Sequence, residues 1–136
     1  MEYDDLIAEY LPTHDFTPAV GQGSIALEAA TSLPVDKLAR IRQLTNHEPT
    51  EACLKAERAF LRRLEGGCSI PVFGLATLQG SQLSLTGGIV SLDGGELLRE
   101  TFAGPAAEAE ALGHGLAESI LAKGGAEILR SVRENL

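Results

Sequence analysis

One cysteine in this chain stands where a thiol can react. Cys68 directly follows the glycine pair Gly66-Gly67, and that pair follows a strongly helical stretch that ends in Leu64-Glu65. Because glycine accepts backbone conformations that other residues avoid, the pair predicts a flexible junction that displays the thiol. A thiolate is a strong carbon nucleophile and its thioether products are stable. The position favours chemistry at Cys68, and on spacing alone a buried structural thiol stays open as the alternative.

The segment Gly21-Gln22-Gly23, which follows Pro18-Ala19-Val20, is the second candidate for contact with a ligand. Its glycines remove the steric barrier to close approach, so the backbone amides of Gln22 and Gly23 are available to a bound group. A simple turn explains the same residues, and the segment is too short for a phosphate-binding fingerprint. Both interpretations stay open at this point.

The remaining reactive side chains favour structural roles. Cys53 lies in the middle of a predicted helix on its apolar side, where a buried thiol is expected. His14, His47 and His114 share no spacing typical of metal ligands or a catalytic base, so solvated or capping positions are predicted. We expect neither a metal site nor a disulfide. The charged residues of 51–65, including the pair Glu51 and Lys55, predict a solvated helix face.

Two helices, three strands and two further helices are predicted in that order, and they must position these residues. Apolar residues recur at helical spacing over 38–44 and over 53–64, with Asn46 as the predicted N-cap of the second helix. Gly66-Gly67 are predicted to end that helix. Three alternating segments follow at 70–78, 83–90 and 98–102, with a bulge or a tight packing contact predicted at Gly87-Gly88.

Short turns between these three segments predict an antiparallel meander, with Asp93-Gly94 as a strong hairpin signal. From Pro105 the chain is predicted to be helical, with an interruption at Gly124-Gly125. The fold class is therefore α+β: a three-stranded antiparallel sheet with helices packed on one face.

Residues 1–34 lack this self-consistent pattern. They predict a short helix at 3–10 and one strand at 24–29, and a single isolated strand is not stable by itself. We predict that residues 1–34 are a piece of something larger and that residues 35–136 form one domain.

Composition narrows the class of protein. Hydrophobic residues make up 44% of the 136 residues, which suits one folded domain with a real core. A formal net charge of −8 repels phosphate backbones, so nucleic acid is not expected as a partner. No run of about 18 apolar residues occurs and the N-terminus is acidic, so neither a membrane span nor a signal peptide is predicted. We expect a cytoplasmic protein.

Taken in order, three segments resemble the porphobilinogen deaminase family. They are Pro18-Ala19-Val20-Gly21-Gln22-Gly23, the run Ala56-Glu57-Arg58-Ala59-Phe60-Leu61, and Leu64-Glu65-Gly66-Gly67-Cys68 with Ile70-Pro71 after it. The similarity extends over nearly the whole chain, and the combination of the first and third segments is far more specific than either alone. The chain is similar to the C-terminal part of that family.

The resemblance implies a role in tetrapyrrole biosynthesis. The full-length enzymes of the family are transferases that condense four porphobilinogens into hydroxymethylbilane and release ammonia at each step. In them a dipyrromethane cofactor is tethered through a thioether to the cysteine that matches Cys68. Gly66, Gly67, Gln22 and Gly23 are the further residues expected at the cofactor. Porphobilinogen and the growing polypyrrole chain are the implied ligands.

The chain departs from the family in extent. The family's catalytic aspartate and its carboxylate-binding arginines lie N-terminal to this region, so no catalytic residue is assigned here. Residues 1–34 correspond to the end of the second domain, and residues 35–136 to the C-terminal dipyrromethane-attachment domain. The missing N-terminal domains are the implied partners and the source of cations for the cofactor's carboxylates. We expect the fragment alone to be inactive and its Cys68 to carry no cofactor.

Two other classes of function stay open. A freestanding α+β interaction module without catalysis predicts that residues 1–34 pack onto the domain and that Cys68 is replaceable without effect. A small cysteine-nucleophile hydrolase needs a base, and no histidine is clearly placed for that role. Rapid, stoichiometric labelling of Cys68 at neutral pH would favour the hydrolase.

Overall fold

The sheet is an antiparallel meander in which the middle strand carries most of the buried side chains. The computed structural model describes residues 4–65 and 70–135. The strands are β1 (Val72–Gln79), β2 (Gln82–Val90) and β3 (Leu97–Pro105), in the order β1-β2-β3. The helices are α1 (Val35–Thr45), α2 (Glu48–Arg63), α3 (Ala109–Ile120) and α4 (Ala126–Glu134).

Both strand connections are tight turns, as the sequence predicts. Gln79 pairs with Gln82 across the β1–β2 hairpin, where Gly80 adopts a φ of 60°. In the β2–β3 connection the Ser91 N–H donates to the Glu96 carbonyl oxygen, and Gly94 adopts a φ of 73°. Because two-residue and short hairpin loops need such conformations, glycine at these turns sets the register of the sheet.

One face of the sheet packs against the helices and forms the core. Leu83, Leu85 and Ile89 of β2 alternate toward this face and are fully buried. They pack with Phe60 and Leu64 of α2, with Leu116 and Ile120 of α3, and with Ile128, Leu129 and Val132 of α4. The predicted α+β class, with a three-stranded antiparallel sheet and helices on one face, is confirmed.

Glycine allows two close approaches inside this core. A Cβ atom on Gly87 would lie 2.9 Å from the Phe60 ring, and one on Gly113 would lie 2.2 Å from the Ala56 carbonyl oxygen. The pairing of β2 with both neighbours is uninterrupted through Gly87 and Gly88, so the structure has tight packing there and no bulge. α2 and α3 can pack this closely only because Gly113 has no side chain that would collide with the Ala56 carbonyl oxygen.

Two predicted helix boundaries differ in the structure. α2 begins at Glu48 with His47 as N-cap, whereas Asn46 ends α1 and donates its side-chain amide to Glu51 at 2.7 Å. At the other end of α2, the residue with a left-handed backbone is Glu65, at a φ of 51°. The sequence predicts glycine in that role because a Cβ disfavours it. Gly66 and Gly67 lie outside the described residues.

The helical region after β3 follows the prediction closely. Pro105 ends β3 and precedes a short 3-10 turn at Ala106–Glu108, after which α3 begins. α3 and α4 are separated by a wide turn at Leu121–Gly125, where Gly124 adopts a φ of 112°. Within the described residues, none of the helices is both long and apolar enough to cross a membrane.

The chain before α2 is mostly exposed. The predicted helix at 3–10 is a single 3-10 turn at Asp4–Leu6, and the predicted strand at 24–29 has no regular secondary structure. A strand needs a neighbour for its backbone hydrogen bonds, and the described part of the chain places none beside this segment. α1 has no buried residue.

Candidate functional site

The predicted attachment loop joins α2 to β1. Gly66, Gly67 and Cys68 themselves lie outside the described residues, so the site is built here from the residues on either side. Upstream, Leu64 is buried in the core while Glu65 is exposed. The loop therefore starts at the point where α2 leaves the core for the surface.

A side chain from α4 fastens the upstream end of the loop. Nη2 of Arg133 lies 3.1 Å from Oε2 of Glu65 and donates a long hydrogen bond of 3.4 Å to the Leu64 carbonyl oxygen. A cation at the C-terminal end of a helix also interacts favourably with the helix dipole. Glu65, which these contacts reach, is the residue with the positive φ.

The downstream end of the loop is held by the sheet. The Val72 N–H donates to the Ile70 carbonyl oxygen at 2.8 Å, and the Val90 N–H donates to the Pro71 carbonyl oxygen at 3.1 Å. Ile70 also packs against the core. Both ends of the predicted attachment loop are thus fixed to the same packed unit.

The second predicted segment, around Gln22 and Gly23, forms two successive turns. The Gln22 N–H donates to the Ala19 carbonyl oxygen and the Ser24 N–H donates to the Gly21 carbonyl oxygen, each at 3.1 Å. Gly21 and Gly23 adopt φ values of 73° and 80°, which glycine alone accepts without strain. The turn interpretation is confirmed, and a ligand contact at Gln22 and Gly23 stays a prediction.

Glu57 is a buried carboxylate that the sequence did not predict. It was expected on the solvated face of α2, but only 4% of it is exposed. Its Oε2 accepts from the Gly21 N–H at 2.7 Å and its Oε1 accepts from the Ala76 N–H at 2.8 Å. The signal was its spacing, four residues after Cys53 and three before Phe60, which puts it on the apolar side of the helix.

Cys53 shares this environment. It packs against the core on the apolar side of α2, as the sequence predicts, but it is half-buried where a buried thiol was expected. Burial, together with the negative charge of Glu57, raises the pKa of the Cys53 thiol. Because the thiolate is the reactive form, this thiol is poorly suited to nucleophilic chemistry.

A polar cluster around Glu51 links α1 to α2. Arg42 donates to both carboxylate oxygens of Glu51, at 2.6 and 2.8 Å, and Lys55 lies 3.1 Å away. Hydrogen bonds from Asn46, Arg42 and Lys55, in that order, lower the pKa of Glu51 to about 2. The predicted ion pair between Glu51 and Lys55 is confirmed, and it belongs to a larger network.

The histidines do not come together in a site. His14 is exposed beside Asp15, at 3.0 Å, while a ring nitrogen of the N-cap His47 lies 2.8 Å from the Thr50 hydroxyl. His114 is exposed on α3. In the described part of the chain, no three His, Cys, Asp or Glu side chains are grouped as a metal ion would require.

Comparison with known proteins identifies a family. A family model described as porphobilinogen deaminase, C-terminal domain, matches residues 51–122, just over half of the chain. A porphobilinogen deaminase of Cytophaga hutchinsonii is 51% identical over 136 residues, which cover 100% of this chain and 44% of that protein. One of Desulfosudis oleivorans is 48% identical over 134 residues, covering 98% of this chain and 43% of the relative. The chain thus spans less than half the length of these relatives.

Proposed function

The chain belongs to the porphobilinogen deaminase family, and from this premise we propose that it is the cofactor-attachment part of a transferase of tetrapyrrole biosynthesis. In the proposed full-length protein, four porphobilinogens are condensed into hydroxymethylbilane with release of ammonia, and Cys68 holds the dipyrromethane cofactor. One observation carries the proposal: the family match over residues 51–122 includes Cys68 together with the helix and strand that hold its loop.

The residues beside the loop suit a tether. A covalent anchor for a growing chain must be fixed at its base, so that the attached group stays near one place, and free at its tip. The base is fixed upstream by Arg133 on Glu65 and downstream by the backbone bonds of Ile70 and Pro71. Between them stand Gly66 and Gly67, and glycine is the residue type that accepts the widest range of backbone conformations. The bound group itself would supply the pyrrole ring at which chain growth starts.

The attachment chemistry needs only the thiol of this chain. Sγ of Cys68 forms a bond to the aminomethyl carbon of a porphobilinogen unit, and the bond from that carbon to nitrogen breaks. The thiol proton leaves with the nitrogen, so the products are a thioether and ammonia. Cys53 is the weaker candidate for this step because its burial and the nearby Glu57 charge raise its pKa.

The proposal extends to the division of the chain. Residues 1–34 would be the end of the family's second domain, and residues 35–136 the attachment domain. Exposed apolar side chains before α2 support this, since Ile25 is 93% exposed and Leu27 is 66% exposed. Side chains of this kind are normally covered. We propose that the N-terminal domains of the full-length protein cover these side chains. Because this chain has a net charge of −8, those domains would also supply the cationic side chains that bind the cofactor's carboxylates.

A chimera tests the proposal. The chain replaces the matching C-terminal part of the Cytophaga hutchinsonii relative, which is 51% identical to it, and the intact mass is measured. We expect the mass of one dipyrromethane above that of the polypeptide. The increment is expected to vanish in Cys68→Ser and to persist in the matched control Cys53→Ser. An increment that survives Cys68→Ser, or one that depends on Cys53, would overturn the proposed attachment.

A further inference from the structure

A single buried carboxylate joins three separate parts of the fold. Among the residues that the structure describes, Glu57 is the only charged one that is buried. No cation accompanies it in the described contacts; its partners are two backbone N–H groups, Gly21 at 2.7 Å and Ala76 at 2.8 Å. Burial of a carboxylate is costly unless hydrogen bonds replace its water, so this arrangement is specific.

The two donors come from different elements. Ala76 lies on β1 and Gly21 lies in the first turn of the segment that precedes α1, whereas Glu57 itself projects from the middle of α2. One side chain therefore fixes the distance between a strand, a helix and a loop. We propose that Glu57 is a positioning residue that fastens the 17–23 turn segment to the packed domain.

β1 is an edge strand of the sheet, and the contacts of Glu57 and Pro18 cover part of that edge. Gly74 and Ala76 direct their N–H groups away from β2, because Gly74 donates to the Pro18 carbonyl oxygen at 3.0 Å and Ala76 donates to Glu57. An edge strand with unpaired donors invites pairing with other chains. Pro18 and Glu57 together occupy two positions that a fourth strand would otherwise fill.

Further contacts place the same segment along the domain. Nη2 of Arg99 on β3 donates to Oγ1 of Thr17 at 2.7 Å, and a methyl group of Val20 packs over Gly74. These contacts are made by the exposed or half-buried rim of the segment. Glu57 is the side chain that accepts from the Gly21 N–H, so its loss is expected to release the turn at Gly21, while Pro18 stays bound to Gly74.

The positioning matters for the site under the proposed function, on which this one consequence rests. Gln22 and Gly23 follow Gly21 directly, and α2 leads from Glu57 to Glu65 at the base of the attachment loop. Fastening Gly21 to Glu57 therefore sets the position of Gln22 and Gly23 relative to the helix that carries the tether.

Hydrogen exchange on the full 136-residue chain tests the positioning role. Glu57→Gln keeps the size of the side chain, but its amide NH2 faces one of the two N–H donors and cannot accept from it. We expect exchange of the 17–24 peptide to become about tenfold faster or more, with β2 and α3 unchanged. The control Glu51→Gln removes a carboxylate from the same helix and is expected to leave the 17–24 peptide unchanged. Unchanged exchange at 17–24 in Glu57→Gln would overturn the proposal.

A measurement on the unaltered chain covers the case in which Glu57→Gln fails to fold. Gly21 and Gly23 are turn glycines two positions apart, and both have a positive φ. Of these two, the described contacts give a hydrogen-bond acceptor to the N–H of Gly21 and none to that of Gly23. By amide-resolved NMR, we expect the Gly21 amide to exchange about tenfold or more slowly than that of Gly23, after correction for intrinsic rates. Equal exchange of the two amides would overturn the proposal.

The outcome is separable from that of the cofactor experiment. Hydrogen exchange at Gly21 needs no cofactor, and the mass increment in the chimera reports the bond on Cys68 rather than the position of Gly21. A protected Gly21 with no thioether on Cys68 overturns the proposed function alone. An unprotected Gly21 with the thioether present overturns the positioning role alone.

Discussion

The chain before α2 and the chain from α2 onward are held in place by different forces. From α2 to α4 the structure depends on apolar packing, with Phe60, Leu85 and Leu116 fully buried. Before α2 the attachments are mainly polar: Glu57 holds Gly21, and Glu51 holds Arg42 of α1. The chain before α2 can therefore loosen without exposing the core, whereas the region from α2 to α4 cannot. This difference is what the proposed division of the chain expects: a packed domain, and a segment before it that contacts another part of the full-length protein.

Truncation of a core side chain should give the largest loss of stability and identify the region that depends on apolar packing. Phe60 is fully buried between β2 and α3, so Phe60→Ala leaves a cavity and is expected to lower the free energy of unfolding by about 3–5 kcal/mol. The measurement is urea denaturation followed by circular dichroism. Ile25→Ala, at an exposed position, should change it by less than about 0.5 kcal/mol. Similar losses for both variants would remove the distinction between the regions.

A pair of glycines on α3 sharpens the same point within the core. A Cβ on Gly113 would lie 2.2 Å from the Ala56 carbonyl oxygen, so Gly113→Ala must push α2 and α3 apart. We expect a loss of about 2 kcal/mol or more in unfolding free energy. Gly115 is the control, since its Cβ would meet the Phe102 ring at an ordinary 3.5 Å. Gly115→Ala should be neutral or stabilising by up to about 1 kcal/mol, because alanine favours helix.

The two cysteines give a prediction of intermediate size. Because burial and the charge of Glu57 raise the pKa of Cys53, its thiol should react slowly with iodoacetamide near neutral pH. The Cys68→Ser chain, which retains only Cys53, is expected to be alkylated several-fold more slowly than the Cys53→Ser chain. Glu57→Gln in the Cys68→Ser background should speed alkylation, since one cause of the raised pKa is removed. Equal rates in the two single-cysteine chains would contradict this.

The smallest expected effect concerns the tie between α1 and α2. The pKa of Glu51 is lowered to about 2 from 4.5, so the ionised carboxylate favours the folded contact. The ionised Glu51 carboxylate stabilises the contact between α1 and α2 above its unfolded pKa of about 4.5. This stabilisation is lost as the pH falls from about 4.5 through about 2. The protection of α1 amides against hydrogen exchange, after correction for intrinsic rates, should therefore fall over that window, and Glu51→Gln should remove this pH dependence. An equal fall in both chains would exclude Glu51 as its cause.

Much of the fold was predictable because local signals and burial agree. The alternation at 83–90 and the turn at Asp93-Gly94 predicted β2 and its hairpin, and the helical spacing from Cys53 to Leu64 predicted α2. The failures occur where a partner decides the structure. The segment at 24–29 alternates like a strand, but the residues that the structure describes place no pairing partner beside it. Glu57 looks solvated until Gly21 and Ala76 are known to donate to it.

The chemistry of the candidate site stays a prediction, and the contacts that support it were not predictable from the sequence. Gly66-Gly67-Cys68 predict a displayed thiol from residue type alone, and these three residues lie outside the described part of the chain. The supporting contact of Arg133 with Glu65 joins residues far apart in the sequence. Such a pair is invisible to helical or strand spacing, because it depends on how α4 packs beside the end of α2.

The most direct measurement is a peptide mass map of the chain alone and of its chimera with the N-terminal part of the Cytophaga hutchinsonii relative. We expect the peptide that contains Cys68 to carry the dipyrromethane mass in the chimera and to be unmodified in the chain alone, while the Cys53 peptide is unmodified in both. A chimera that forms hydroxymethylbilane with an unmodified Cys68 peptide would contradict the assignment of this chain as the cofactor's tether.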